Sequence, residues 1–213
     1  MPAALLDLPS PVAQADRLVA LGAHEVAGLT PAELRDAAAG VHLPGALLVL
    51  HPDRAAASAL TPLLERRGRC GFVVADMTDV DAFAPVDGVE LPDAPVYLAV
   101  DPDRGDAMAN WSPDEALPAI TAAGRTPLTL GEGICWLLQR PEVLDRNHCF
   151  MTIGSRVRRP DGSLDARTPA LWISNGTGRD GRERRDAPKV GWCWAGNRHT
   201  WLGFASAAAR TAG

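Results

Sequence analysis

Hydrophobic and polar positions first follow a helical spacing. Ala13 to Leu21 reads as a helix, with Leu18, Val19 and Leu21 apolar, and Gly22 ends it. Thr30-Pro31-Ala32-Glu33 is a capping box. The Thr hydroxyl accepts from the third residue's N–H, the Glu reaches back, and Pro occupies the first helical position. These features predict a short helix ending near Gly40, so residues 1–40 are expected to form an N-terminal helical hairpin appendage. Ser112-Pro113-Asp114-Glu115 and Thr129-Leu130-Gly131-Glu132 are further boxes. The first opens a helix through Ala116, Leu117 and Ile120, closed by Gly124. The second opens one through Ile134, Leu137 and Leu138, ending before Pro141 or continuing kinked to Leu144.

Between the helices lie continuous apolar runs. Ala46 to His51, Gly71 to Ala75 and Pro95 to Val100 suit buried strands, and Arg54 to Arg66 reads as a helix ended by Gly68. After Asn147 the texture changes. Phe150 to Gly154, Ala170 to Ser174 and Val190 to Ala195 are short apolar or aromatic runs separated by Gly- and Arg-rich stretches, as in antiparallel strands joined by long loops. The polar stretch from Gly176 to Pro188 reads as mobile. The expected class is α+β: helices in the N-terminal two thirds, packed on a mixed or antiparallel sheet that C-terminal strands complete. A length of 213 residues fits a single domain.

Composition narrows the function classes. No apolar run approaches the ~20 residues of a membrane helix. Met-Pro-Ala-Ala-Leu-Leu before Asp7 lacks a basic leader region, so a cytoplasmic address is expected. Cys70, Cys135, Cys149 and Cys193 form no C-x-x-C pair and are expected to be free thiols. The net charge is −5, but unevenly spread: 8 basic against 19 acidic residues up to Gln139, and 13 against 7 from Arg140 onward. The overall acidity argues against nucleic acid, while the basic C-terminal third is expected to draw an anionic partner.

The densest chemistry lies in Gly191 to Gly203, which holds three of the six tryptophans. On a strand Trp192 and Trp194 share one side and Cys193 takes the other. Asn197, Arg198, His199 and Thr200 follow Gly196, where loops at strand ends carry ligand contacts. The expected site is a pocket with ligand-binding Trp192, Trp194, Asn197, Arg198 and Trp201, with His199 as acid–base group and Cys193 as a nucleophile if the imidazole is in reach. The same tryptophans would equally fill a core.

Other constellations weigh less. His148, Cys149, Cys193 and His199 supply zinc-type donors without a recognised spacing, so no metal site is assigned, and no cofactor can be named. Gly176-Thr177-Gly178-Arg179-Asp180-Gly181 matches a dinucleotide fingerprint only literally, since no apolar helix follows. Asp76, Asp79, Asp81 and Asp87 form an acidic cluster suited to a solvated loop. Arg156, Arg158 and Arg159 beside Arg198 suit an anion clamp or an exposed hairpin.

Four stretches carry a family resemblance: Trp111 to Ile120, Gly124 to Thr129, Pro169 to Ile173, and Gly191-Trp192-Cys193-Trp194-Ala195-Gly196-Asn197 through Gly203. The chain resembles an uncharacterised actinobacterial domain-of-unknown-function family over nearly its whole length, and its stretch from Gly176 to Pro188 is longer than that family's pattern. The resemblance implies a bacterial cytosolic protein in or near specialised metabolism and supplies no catalytic residue. Two readings stand: a small-molecule site for a polar or anionic metabolite, or a non-enzymatic interaction module docking through Arg182, Arg184 and Arg185. The sequence leaves the oligomeric state open.

Overall fold

Three helix starts carry the reciprocal cap that their sequences predict. Thr30 and Glu33, Ser112 and Glu115, and Thr129 and Glu132 each exchange side-chain and backbone bonds. The computed structural model describes residues 7 to 212. The N-terminal Met1 to Leu6, where a leader was sought, lies outside the described residues, as does Gly213.

Helices α1 (Pro11–Ala20), α2 (Ala23–Val26) and α3 (Pro31–Ala38) precede strand β1 (Ala46–Leu50) and helix α4 (Ala57–Leu60). Then come β2 (Glu65–Arg66), β3 (Arg69–Cys70), β4 (Phe72–Val73), β5 (Ala84–Pro85), β6 (Val96–Val100), α5 (Pro113–Ala122), β7 (Thr126–Pro127) and α6 (Leu130–Gln139). The remainder is strand: β8 (Cys149–Met151), β9 (Ser155–Arg156), β10 (Arg167–Ile173), β11 (Pro188–Trp194), β12 (Leu202–Phe204), β13 (Ser206–Ala207) and β14 (Ala209–Ala212).

Two sheets organise these elements. One is antiparallel, ordered β1-β6-β14; the other is mixed, ordered β12-β8-β10-β11-β4, with parallel outer pairs around an antiparallel centre. Helix α6 joins them. Its thiol Cys135 meets the Leu50 backbone of β1 and is pushed up to about 12 by burial. On the mixed-sheet side, Trp136 lies 5.5 Å from Phe150. Gly133 lets the helix approach that closely: a Cβ there would stand 2.6 Å from Thr152 Cγ2 and 3.0 Å from Leu171 Cδ1. A helix apolar around nearly its whole circumference belongs inside a core, and nine of the ten α6 residues are buried.

The N-terminal helices pack on the antiparallel sheet and α6, with Ala15, Leu18, Leu34 and Ala38 inside the core. Buried Gln14 closes the free edge of β1. Its amide accepts from Leu48 N–H at 2.8 Å and donates to Ala46 O at 2.7 Å and Pro9 O at 2.8 Å. The side chain thereby stands in for a neighbouring strand, one way of closing an edge that would otherwise template pairing.

Two local expectations are corrected. Arg54 to Arg66 is not one helix: α4 is a single turn, a 3-10 turn follows over Thr61–Leu63, and β2 and β3 form a hairpin. Pro62 has no N–H to extend the ladder, and Arg67 and Gly68, both left-handed (φ 52 and 73), turn the chain back. The run from Gly71 to Ala75 yields only the two-residue, half-buried β4, on the edge of its sheet. The C-terminal β12 to β14 carried no strand signal strong enough to be read in advance.

Candidate functional site

Strand alternation splits the tryptophans between the two faces of the mixed sheet. The β10–β11 register sets Trp192 opposite Pro169 and Trp172 opposite Lys189. Trp192 and Trp194 therefore share one face, and Trp172 and Cys193 the other. The first pair meets edge to face at 4.6 Å, with Trp192 half-buried and Trp194 exposed. Trp201 leaves the stretch from which it was read: its carbonyl accepts from Cys149 N–H at 3.0 Å, and its indole meets Trp172 edge to face at 6.3 Å.

The Trp172–Trp201 pair walls a cleft of about 370 Å³. Ile173 and Cys149 add apolar surface, and Arg146, Asn147 and Asn175 supply polar groups. Each has a definite support. Arg146 and Asn147 stand at the tip of a tight turn closed by mutual backbone bonds between Asp145 and His148 (3.1 and 3.0 Å). Asn147 is left-handed there (φ 63), a conformation asparagine tolerates better than most residues. Arg146 ion-pairs with Asp186, itself left-handed (φ 69). Trp172 is held by Lys189, whose ammonium lies 5.0 Å from the indole centre.

Lys189 is anchored in turn by Asp180, at 2.7 and 2.9 Å, and Ser174 Oγ donates to the same carboxylate at 2.8 Å. The polar stretch after Gly176 thus folds around buried Asp180 in two 3-10 turns. Its GxGxxG spacing opens no helix of the kind a pyrophosphate would need.

Of the expected pocket residues Trp201 alone lines this cleft, joined by Cys149, which was weighed only as a zinc-type donor. His199 sits against Trp201, rings 5.5 Å apart, with Nε2 buried and without a hydrogen-bond partner. Desolvation lowers its pKa, which keeps the imidazole neutral at pH 7. Burial pushes the Cys193 thiol up to about 11, and Cys149 likewise to about 11. Both are therefore thiols near neutrality, without the depressed pKa that activates a nucleophile. Asn197 and Arg198 are exposed on a loop that docks on the segment before α5 and on its first turn. Arg198 ion-pairs with Glu115, Asn110 N–H donates to His199 O, and Asp114 N–H donates to Ala195 O. Among the described residues no group of three or more His, Cys, Asp or Glu side chains is placed to hold a metal ion.

Arg146, Asn147, Ile173 and Asn175 were missed in the sequence. They lie outside the tryptophan-rich stretch and become neighbours only through the β8–β10 pairing. The one available signal was the strand-end position of Asn175, directly after Ser174.

The acidic and basic halves of the chain meet. Asp76 pairs with Arg179, Asp79 with Arg167, Asp87 with Arg158, Glu115 with Arg198 and Glu132 with Arg210. Much of the basic charge that was expected to draw an anionic partner to the C-terminal third is thus engaged within the fold.

No helix among the described residues is long and apolar enough to cross a membrane. No curated protein and no solved structure matches the chain. Residues 17–213 match a family of unknown function (DUF5701), and the chain belongs to that family.

Proposed function

We propose that the protein binds a small polar metabolite in the cleft between Trp172 and Trp201. The observation that carries this reading is the cleft's make-up. A volume of about 370 Å³ lies within the range of small-molecule sites, and two indoles with one guanidinium and two amides supply the mixture such sites use. The site is thus the Trp201 end of the tryptophan-rich stretch, joined to β8 and β10 rather than to Trp192 and Trp194. His199 serves as a neutral partner behind Trp201, and catalysis through Cys193 has no geometric support.

Docking through the arginine-rich hairpins has less behind it. Arg158, Arg159, Arg167 and Arg179 already face carboxylates, and Arg184 lies over the Phe72 ring at 4.4 Å.

The test is thermal denaturation against a library of polar metabolites. A ligand at one hundred times its Kd stabilises by about 2.7 kcal/mol, roughly 5–11 °C at this size. Trp201→Ala and Asn175→Ala should each abolish the shift. A library with no stabilising member, or shifts unchanged in both variants, would refute the reading.

A further inference from the structure

The charges around the cleft select among polar guests. Arg146, the lining cation, is engaged by Asp186, and its guanidinium also reaches Asn175 Oδ1 at 3.4 Å. Lys189, beside Trp172, is neutralised by Asp180, with side chains only 15% and 12% exposed. Asp145 adds a further negative charge at the base of the Arg146 turn, where its carboxylate accepts from Arg146 N–H at 2.8 Å. Arg66, which donates to Leu144 O at 3.3 Å, interacts with both Asp145 and Asp186, so three cations face three carboxylates and the set has no net positive charge. An anionic guest would have to share Arg146 with Asp186 and sit near Asp145.

What the cleft offers freely is neutral. The indoles of Trp172 and Trp201 stand at 71° to one another, so a flat ring can stack on one and meet the edge of the other. The Asn147 amide carries a donor and an acceptor side by side, and Asn175, whose Oδ1 already accepts from Arg146, keeps its amide N–H groups and a second lone pair. An asparagine amide is matched by a ring edge that carries an acceptor next to a donor, as an adenine does. The Asn147 backbone is pinned by its turn, so only its side-chain torsions remain to be ordered on binding.

We infer that the guest is an uncharged planar heteroaromatic ring with adjacent donor and acceptor atoms, of the nucleobase or nicotinamide kind, stacked on an indole and read along its edge by Asn147 and Asn175. This rests on the ligand-binding reading above and narrows its substrate class.

Isothermal titration calorimetry with adenine, uracil, nicotinamide and benzoate, at low and high salt, tests it. At least one of the three neutral rings should bind saturably, with Kd changing less than about twofold with salt because no ion pair forms. Asn147→Gly removes an amide at a left-handed position where glycine is at ease, and Asn175→Ala removes the other. Each should weaken that ring at least about tenfold, the loss of one good hydrogen-bonded contact, with the unfolding temperature of the free protein unchanged.

Benzoate binding alone, weakened by salt, would overturn this inference and leave the ligand-binding reading standing. So would failure of all four probes while the metabolite library still stabilises the protein, or ring binding untouched in both asparagine variants. Failure of the probes together with a silent library would overturn both.

Discussion

Replacing Gln14 with leucine tests whether a single amide closes the edge of the antiparallel sheet. The side chain is fully buried between α1 and β1 and makes three bonds of 2.7–2.8 Å to the main chain. Leucine has nearly the same volume, so packing changes little. The Leu48 N–H and the Ala46 carbonyl, however, lose their partners where water does not reach. A buried backbone group left unpaired costs about 1–3 kcal/mol. Two give about 2–6 kcal/mol, reduced by the gain from burying a more apolar side chain, so a loss of about 3 kcal/mol is expected. That is a large part of the ~5–15 kcal/mol that holds a typical domain together. At this size it corresponds to a fall of roughly 6–12 °C in Tm. Urea unfolding should show the midpoint moving with the slope unchanged, because the damage lies in the native state. Gln14→Glu should be worse near neutral pH, since one carboxylate oxygen would then face the Ala46 and Pro9 carbonyls. A Gln14→Leu protein melting within 2 °C of the parent would refute the edge-closure reasoning.

The buried pair of Glu132 and Arg210, 2.5 Å apart with side chains 0% and 5% exposed, should make Arg210→Met costly by about 3–5 kcal/mol through the stranded carboxylate. The double variant Glu132→Gln, Arg210→Met should recover much of this in denaturant unfolding, and equal losses in the single and double variants would contradict it. Arg167 bridges Asp79 and Asp165 and holds both carboxyls below their ordinary value of 3.8. Since these groups bind protons less readily when folded, the bridge's stabilisation is complete above pH 3.8 and disappears as the pH falls through the lower folded values. Acid unfolding of Arg167→Met should therefore show a flatter limb below pH 3.8 than the parent, and identical limbs would dismiss the bridge.

The elements that could be read from sequence are those whose signal is local. Thr30, Ser112 and Thr129 announce helices because a cap is made within four residues. The apolar runs of β1, β6 and β10 announce strands because near-continuous burial leaves little other choice, and β11 does so by its aromatic run. The reading failed where a distant partner decides. Arg54 to Arg66 has helical composition, but Pro62 and the left-handed Arg67–Gly68 turn break it. The last strands are short and end the chain, and β14 exists by pairing with β6 and through the clasp of Arg210 on Glu132, Thr126 and Pro127. The tryptophan cluster was visible as composition, but its division across a sheet depends on register. Trp172 and Trp201, 29 positions apart, meet only once β8 lies between β10 and β12.

Charge follows the same logic. A balance of −11 before Arg140 and +6 from Arg140 onward looks in sequence like a field directed at a partner. In the fold the two halves interleave, and the carboxylates of the loop following β4 meet arginines from the loops that flank β10. Each such exposed pair is worth little alone, about 0–1 kcal/mol. Their joint consequence is subtractive, because they remove free cations from the surface, as Asp186 and Asp180 of the C-terminal third itself do for Arg146 and Lys189 at the cleft. Under the proposed function, recognition then falls to groups that carry no charge, the indole faces and the asparagine amides. A strong salt dependence of any ligand's affinity would show that this neutralisation does not hold in solution.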